Sequence, residues 1–428
     1  MSQLPRYESY KDSGVQWLGE IPSHWAVVRL DQGCEIVRGN TGFSKADLLE
    51  EGQYVALQYG KTYKVDEINN TFYSYVNEEF YKLSQIAMYG DTVLISTSET
   101  IEDLGHSCFY ARQDIGLIGG EQFLLKVNQE EQSGKYLYYL SKAFSGYLRK
   151  YATGTKVYRF NTDHLKKIYI PQIPFNEQKI IADFLDKRLA QVDALIAKQE
   201  TLLEKLAEQR VALISHAVTK GLNPDVEMKE SGVEWLGKVP RSWDIANLRY
   251  FISCNSGDAL ESSKILRDAD EFNYIPVIGG NGLLGFTENS NYKKECIAVG
   301  RVGALCGNVH FIDYESWIND NALLIKLISD KFNINYLVYL LRSRNLNELA
   351  SKTAQPLLTG TQVKAEKVCI PLMSEQLEIV RYLDTNLEAL DKLLETVNKT
   401  IQTLREYRST LITQVVTGKI DVRNLNVN

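Results

Sequence analysis

Basic and aromatic side chains crowd one stretch of the chain: Arg149, Lys150, Lys156, Tyr158, Arg159, Lys166 and Lys167. A looser set follows in the second half, where Asn281 lies in a glycine-rich run ahead of Lys293, Lys294, Arg301, Arg342, Arg344, Lys352, Gln355 and Lys364. Lysine and arginine neutralise phosphates, arginine offers paired donors to guanine edges, and asparagine or glutamine does the same for adenine. Contact with duplex DNA is therefore one reading of both sets. A solvated polar surface is the other.

Metal, nucleotide and covalent chemistry find less support. Cys296, Cys306 and His310 suggest zinc but lack a convincing fourth ligand, and the six cysteines never form CxxC, so reduced and mostly buried thiols are expected. Gly280-Asn281-Gly282-Leu283-Leu284-Gly285 fits GxGxxG after the strand-like Tyr274 to Ile278. That motif needs a helix next, to face its N-terminus to a pyrophosphate, and Phe286 to Asn291 is a poor helix. Gly232 to Val239 is one residue short of a Walker A loop, with Val239 where magnesium needs Ser or Thr, so packing is the better reading. No nucleophile elbow, HExxH, DEAD-type box or Asn-Pro-Pro-Tyr motif occurs, and His24, His106, His164, His216 and His310 are dispersed. Neither catalysis, a metal nor a cofactor is expected of this chain itself.

The elements that must position these residues are written twice. Lys11 to Trp25 (KDSGVQWLGEIPSHW) returns as Lys229 to Trp243 (KESGVEWLGKVPRSW), and four of the five tryptophans lie in the two copies. Each copy opens a block that closes in a heptad-patterned segment. The first, about Asn176 to Lys220, has the seam Leu185, Leu189, Val192, Ile196, Gln199, Leu203, Leu206, Arg210, Leu213, Ala217. The second, about Ser374 to Thr417, has Leu383, Leu387, Leu390, Leu394, Val397, Ile401, Leu404, Arg408, Leu411, Val415, each position shifted by 198. Arg210 and Arg408 share one slot, where arginine breaks an apolar seam unless it meets a carboxylate or an adjacent protein. Both segments follow a strand-like run ended by proline (Pro171, Pro371), with Asn176 and Ser374 as expected N-caps and Glu177 and Glu375 suiting the helix dipole.

Between repeats and helices, roughly 26 to 170 and 244 to 370, short Tyr-, Phe-, Val- and Ile-rich runs with Gly and Asn punctuation predict two compact α+β domains. They include helices near Gly134 to Tyr147 and Asn335 to Leu349 and little shared sequence beyond Gly105–Phe109 against Gly307–Phe311. A helix of about 44 residues is roughly 66 Å long, more than a domain of this size can span, so the second helix is expected to return antiparallel and hold the heads apart. The implied divisions are 1–170, first head; 171–222, first helix; 223–370, second head; 371–428, second helix and tail.

The 428 residues carry 44% hydrophobic and 24% charged side chains, ordinary for a soluble protein, with no apolar run long enough for a membrane span and no signal-like N-terminus, so a cytoplasmic location is expected. The net charge of −6 argues against nucleic-acid binding by the simplest rule. Acidic long helices would mask basic faces elsewhere, so charge must be read by segment.

The paired Gly-Val-x-Trp-Leu-Gly-x-[Ile/Val]-Pro-x-x-Trp signature (Gly14–Trp25, Gly232–Trp243), the Ile-Pro run before Glu-Gln-x-x-Ile, and the Val-Thr before a glycine resemble the specificity subunit of type I restriction-modification enzymes along the whole chain. The resemblance implies two α+β target recognition domains separated by two long antiparallel coiled-coil helices, a pseudo-two-fold repeat in which each domain reads half of a bipartite double-stranded DNA target. It implies that the helices fix the gap and dock two modification subunits, with Arg210 and Arg408 as candidate docking residues. Methyl transfer from S-adenosylmethionine would lie in those subunits, and ATP- and Mg-dependent translocation and cleavage in restriction subunits. The DNA-contact candidates are Arg149, Lys150, Lys156, Tyr158, Arg159, Asn281, Lys293, Lys294, Arg301, Gln355 and Lys364. The family often carries a Gly-Ser/Thr-Thr-Gln-like turn before the Ile-Pro strand. Here the first domain has Gly154-Thr155-Lys156 and the second has both Ala354-Gln355-Pro356 and Gly360-Thr361-Gln362. Gly279-Gly280-Asn281-Gly282 has no obvious partner in the first domain. A coiled-coil protein scaffold with heads that do not bind DNA is the alternative reading.

Overall fold

The computed structural model describes residues 5–351 and 356–425. They form two units, Met1–Gln199 with Thr400–Asn428, and Glu200–Lys399. The division falls inside both long helices rather than at the head and helix limits read from sequence, because each half-helix packs with a head.

In the first unit, Tyr10–Asp12 pairs antiparallel with Glu20–Pro22. The turn between them needs left-handed backbone at Gly14 (φ +70°) and Gly19 (φ +58°), which glycine adopts without a Cβ clash. The main sheet has the order Glu35–Arg38, Gln122–Lys126, Thr92–Ile95, Ser107–Tyr110, Glu67–Ile68. A smaller sheet runs Tyr75–Val76, Tyr54–Leu57, Gly116–Ile118, Ile86–Ala87. Gly134–Leu148, capped by the Ser133 hydroxyl, packs its tyrosine- and leucine-rich face into the core.

The second unit repeats this plan with other residues. Met228–Glu230 pairs with Lys238–Pro240, with Gly232 and Gly237 again left-handed. Its main sheet runs Ile252–Ser256, Ala322–Leu327, Cys296–Gly300, Val309–Ile312, and the smaller one Gly282–Thr287, Ile275–Gly279, Trp317–Ile318. Parallel pairing of Tyr54–Leu57 with Gly116–Ile118 matches that of Ile275–Gly279 with Trp317–Ile318. The second head's helix is shorter than expected, Ile334–Ser343, because Asn345 turns left-handed (φ +50°) before a short 3-10 turn.

The long helices are Phe175–Lys220 and Met373–Val416, of 46 and 44 residues. All the seam positions read from the sequence are buried or half-buried. In the first unit Ile181, Leu185 and Leu189 share one core with Leu411, Ile412, Val415 and Val416, so the start of one helix lies against the end of the other. The second unit shows the same sense, with Gly221 beside Glu375. Each helix starts one residue earlier than its expected cap, placing Asn176 and Ser374 in the first turn. A buried glutamine anchors that turn instead. Gln178 Nε2 donates to Ile173 O and its Oε1 accepts from Ser133 N, while Gln376 binds Pro371 O and Asn333 N in the same way. The Glu-Gln pair thus ties the long helix to the cap of the head's own helix.

The preceding strands differ at their prolines. Lys367–Ile370 ends before Pro371, but Tyr169–Gln172 runs through Pro171, which pairs with Val27. An edge position tolerates the missing N–H. Gly221 and Gly418 close the long helices with left-handed φ. At the end of the first helix and just past the second, a lysine donates to a copy of the repeat: Lys220 to Leu236 O and Lys238 O, Lys419 to Leu18 O and Glu20 O.

Candidate nucleic-acid interface

Strand topology places the same loops together in each head. Gly39 N donates to Gln122 O as Gly257 N donates to Ala322 O, both at 3.0 Å. Gly119 N reaches Leu57 O at 2.9 Å as Asn319 N reaches Ile278 O at 2.8 Å. The connection after the first strand of the small sheet, the connection leaving its parallel partner and the segment after the central strand of the main sheet therefore meet at one corner. Loops there present side chains without disturbing the sheets beneath.

In the second head this corner holds Asn281, in the tight turn between Ile275–Gly279 and Gly282–Thr287. A strand follows that turn, so the GxGxxG run lacks the helix a dinucleotide site requires. Gly280 and Gly300 touch: a Cβ on Gly300 would lie 2.6 Å from Gly280 O. That approach brings the Asn281 turn against Arg301. Arg301 Nη1 donates to Ser256 Oγ at 2.9 Å and Asp320 O at 3.2 Å. Its backbone is fixed too, N to Asn321 O at 3.0 Å and O from Leu358 N at 2.9 Å. The guanidinium is thus held by one nitrogen, with other donors left over for a base edge.

Lys364 is half-buried in the helix Gly360–Ala365, over the strand Ile252–Ser256, and lines a shallow groove with Arg249 and Asn255. Lys293 and Lys294 do not join Arg301: they precede Cys296–Gly300 and Arg301 follows it, so the strand separates them. Lys293 pairs with Glu315 at 2.9 Å, and Lys294 is exposed. Gln355 and Lys352 lie outside the described residues. Arg344 is structural, bonded to Glu366 at 2.6 Å and Glu348 at 3.1 Å beneath the Trp235 ring. Arg342 stays exposed along its side chain while its Nε donates to Val309 O at 3.3 Å, and desolvation of the guanidinium lowers its pKa.

The first head presents Tyr158–Arg159, which pairs with Thr97–Ser98. Thr153 and Arg159 exchange backbone bonds around the turn containing Lys156, and Ser351 N donates to Leu357 O at the positions shifted by 198. The stretch between those flanking bonds that would answer to Gly154-Thr155-Lys156 lies outside the described residues. Gly360-Thr361-Gln362 is excluded because it opens a helix capped by Thr359, as Asn161 caps Thr162–Leu165. Arg159 Nε lies 3.9 Å from Glu121 Oε2, which also accepts from the Thr97 hydroxyl. Arg149 donates to Glu102 O. Lys150 donates to Gln16 Oε1 at 2.7 Å and sits over the Tyr147 ring, turned toward the N-terminal repeat.

Sequence reasoning missed the first head's partner for the Gly280 turn. The matched bonds at Leu57 and Ile278 make it Gln58-Tyr59-Gly60-Lys61. The two connections share no motif, Tyr59–Thr62 forming a single helical turn where the second head has a tight hairpin turn; only the strands carrying them correspond. Lys61 is exposed, and the Tyr59 hydroxyl is held protonated past its ordinary range by burial and the charges of Glu99, Glu121 and Asp103. Tyr63 is pushed up to about 12, first by its bond to Asp103 and then by burial. Both phenols stay donors at neutral pH.

On the long helices Arg408 Nε meets Asp193 Oδ1 at 2.9 Å, with Asp66 at 3.5 Å, and Arg210 meets Asp391. The two pairs are related by the same shift of 198. The slot is satisfied by carboxylates within the chain. Burial pulls the Arg408 pKa down, but Asp193 and Asp66 outweigh it and the net shift is upward.

Among the described residues no group of three or more His, Cys, Asp or Glu could hold a metal ion, all six thiols are buried, and no helix is long and apolar enough to cross a membrane.

Comparison with known proteins agrees with this duplicated plan. The model of the type I restriction modification DNA specificity domain matches twice, at residues 22–205 and 240–403. The chain is 26% identical to the type I restriction enzyme EcoprrI specificity subunit of Escherichia coli, over 71% of this chain and 74% of that one. It is 23% identical to the MjaVIII specificity subunit of Methanocaldococcus jannaschii, over 95% of both. A solved structure described as the basis of complex assembly and conformational transition of the type I R-M system superposes with a TM-score of 0.72, at 15% identity, covering 92% of this chain and 98% of that one. The HsdS subunit of Thermoanaerobacter tengcongensis gives 0.54 at 15% identity, covering 94% and 98%. With two matches that together cover most of its length, arranged over two heads of one topology, the chain belongs to the type I restriction-modification DNA specificity family.

Proposed function

We propose that this chain is the non-catalytic sequence-reading subunit of a type I restriction-modification complex, each head reading one half of a bipartite duplex target. The observation that carries this reading is the pair of equivalent corners on a duplicated frame, filled with unlike side chains. One holds Tyr59, Lys61, Glu121 and Arg159; the other holds Asn281 and Arg301. An identical pair of corners would suit a symmetric target, whereas unlike corners suit two different half-sites. The remaining assignments are proposals of the same kind: the long helices set the gap and dock two modification subunits, restriction subunits complete the complex, and S-adenosylmethionine, ATP and Mg act in those partners. Because Arg210 and Arg408 are spent on cross-helix pairs, docking falls to other faces of the helices.

Duplex binding measured across salt concentrations, with modification subunits present, tests the reading. Phosphate contacts from both heads predict a steep loss of affinity as salt rises. A scaffold with no DNA role would show weak binding and a flat salt response.

A further inference from the structure

Glu121 is out of place by two separate criteria. Its φ of +62° lies in the left-handed region, and among the described residues Asn345 is the one other non-glycine there. Glycine or asparagine would take that backbone at lower cost. The residue follows Gly119-Gly120, so glycine is close at hand in this very turn. Its side chain is also an exposed carboxylate that adds to the negative charge of Glu99 and Asp103 around Tyr59, where carboxylates repel phosphates.

The surroundings hold it rigidly. Glu121 O accepts from Ser96 N at 3.1 Å. The next residue, Gln122, is buried and spans Leu57 O at 2.7 Å and Thr62 Oγ1 at 3.0 Å. Thr97 Oγ1 donates to the carboxylate, and Arg159 Nε stands 3.9 Å away. The side chain remains half exposed, so acceptor capacity is left over.

We propose that Glu121 is a specificity-determining residue of the first head, accepting a hydrogen bond from the exocyclic amino group of a cytosine in the major groove. This rests on the DNA-reading function proposed above. The base follows from the groove code. Guanine presents two acceptors and thymine an acceptor beside a methyl, and both reject a carboxylate; adenine pairs its amino donor with the N7 acceptor; cytosine presents the amino donor without a neighbouring acceptor. Thr97 and Arg159 are positioning residues that aim the carboxylate. In the second head the matched position is Asn321, beside Arg301, so an acceptor-only side chain in one head answers to a side chain that both donates and accepts in the other.

The test uses the full chain with its modification subunits in a host, reading methylated positions genome-wide for wild type, Glu121→Gln and Glu121→Gly. Replacement of residues 26–170 first identifies which half-site belongs to this head. Both variants are expected to lose preference for one cytosine in that half-site by about tenfold or more, with the other half-site unchanged. Glu121→Gly is expected to melt no lower than wild type, which separates recognition from folding. Unchanged base preference in Glu121→Gln, or a change confined to the other half-site, overturns the assignment. A wild-type chain that directs no bipartite modification overturns the underlying reading, and the assignment with it.

Discussion

Trp25 donates its indole N–H to Glu177 Oε1 at 3.2 Å, joining the N-terminal repeat to the first turn of a helix 152 residues away, and Trp243 does the same to Glu375 at 2.9 Å. The duplicated tryptophan and the duplicated Glu-Gln are therefore two halves of one joint. Glu177 also accepts from Tyr7 Oη at 2.7 Å and lies 2.9 Å from His24 Nε2. Glu177→Ala strands two buried donors, so it should cost about 2–6 kcal/mol in denaturant unfolding, at about 1–3 kcal/mol per unsatisfied group. Trp25→Phe at the same site, with its other donors kept, should cost less. Equal stability of Glu177→Ala and wild type would show that the joint carries no load.

The cross-helix pairs Arg408–Asp193 and Arg210–Asp391 should couple weakly, because both are partly solvated. A double-mutant cycle on Arg408 and Asp193 is expected to give about 0.3–1 kcal/mol, falling with salt. Reversing one charge should cost more than the pair contributes, and reversing both should recover most of it. A coupling of zero at low salt contradicts the assignment of the seam arginines.

Tyr136 and Tyr336 donate their hydroxyls to Val416 O at 3.1 Å and Val218 O at 3.0 Å, fully buried, and burial raises both pKa values well above the ordinary range. A raised pKa contributes stability that is complete below the unfolded value, about 10, and is lost as pH rises beyond it. Above that pH the unfolded chain binds fewer protons than the folded one, so stability falls with pH. Unfolding midpoints should be flat through neutral pH and decline above about 10. Tyr136→Phe and Tyr336→Phe should each flatten that decline while lowering the neutral plateau by about 1 kcal/mol.

Arg301 and Lys294 should fail differently. Arg301, held by Ser256 and Asp320 with donors to spare, is expected to relax one base position by about 1–3 kcal/mol when changed to Ala. Lys294→Ala should weaken all sequences alike and lower the salt slope by about one. Competition binding on single-base variants across a salt series distinguishes the two, and a uniform loss for Arg301→Ala would assign it to the backbone.

Much of this fold was legible because helix periodicity and the Trp and Glu-Gln repeats are local patterns. Both seams and the antiparallel sense follow from spacing and length. What was hidden depends on pairing between distant strands. Nothing in Gln58-Tyr59-Gly60-Lys61 resembles Gly279-Gly280-Asn281-Gly282; they correspond because Leu57 and Ile278 receive the same bond. Glu121 carries no motif either, and its interest lies in a backbone angle that neighbouring residues impose. The strand through Pro171 was shortened in the sequence reading because proline ends most strands, while an edge position spares it. Arg344 looked like a DNA contact because composition cannot see Glu366 beside it.

The central claim is that each head reads one half-site independently. Exchanging residues 26–170 for the matching domain of another family member, then sequencing methylated positions in a host carrying the partners, tests it most directly. One half of the target should change and the other half and the gap should stay. A change in both halves, or in neither, contradicts the account.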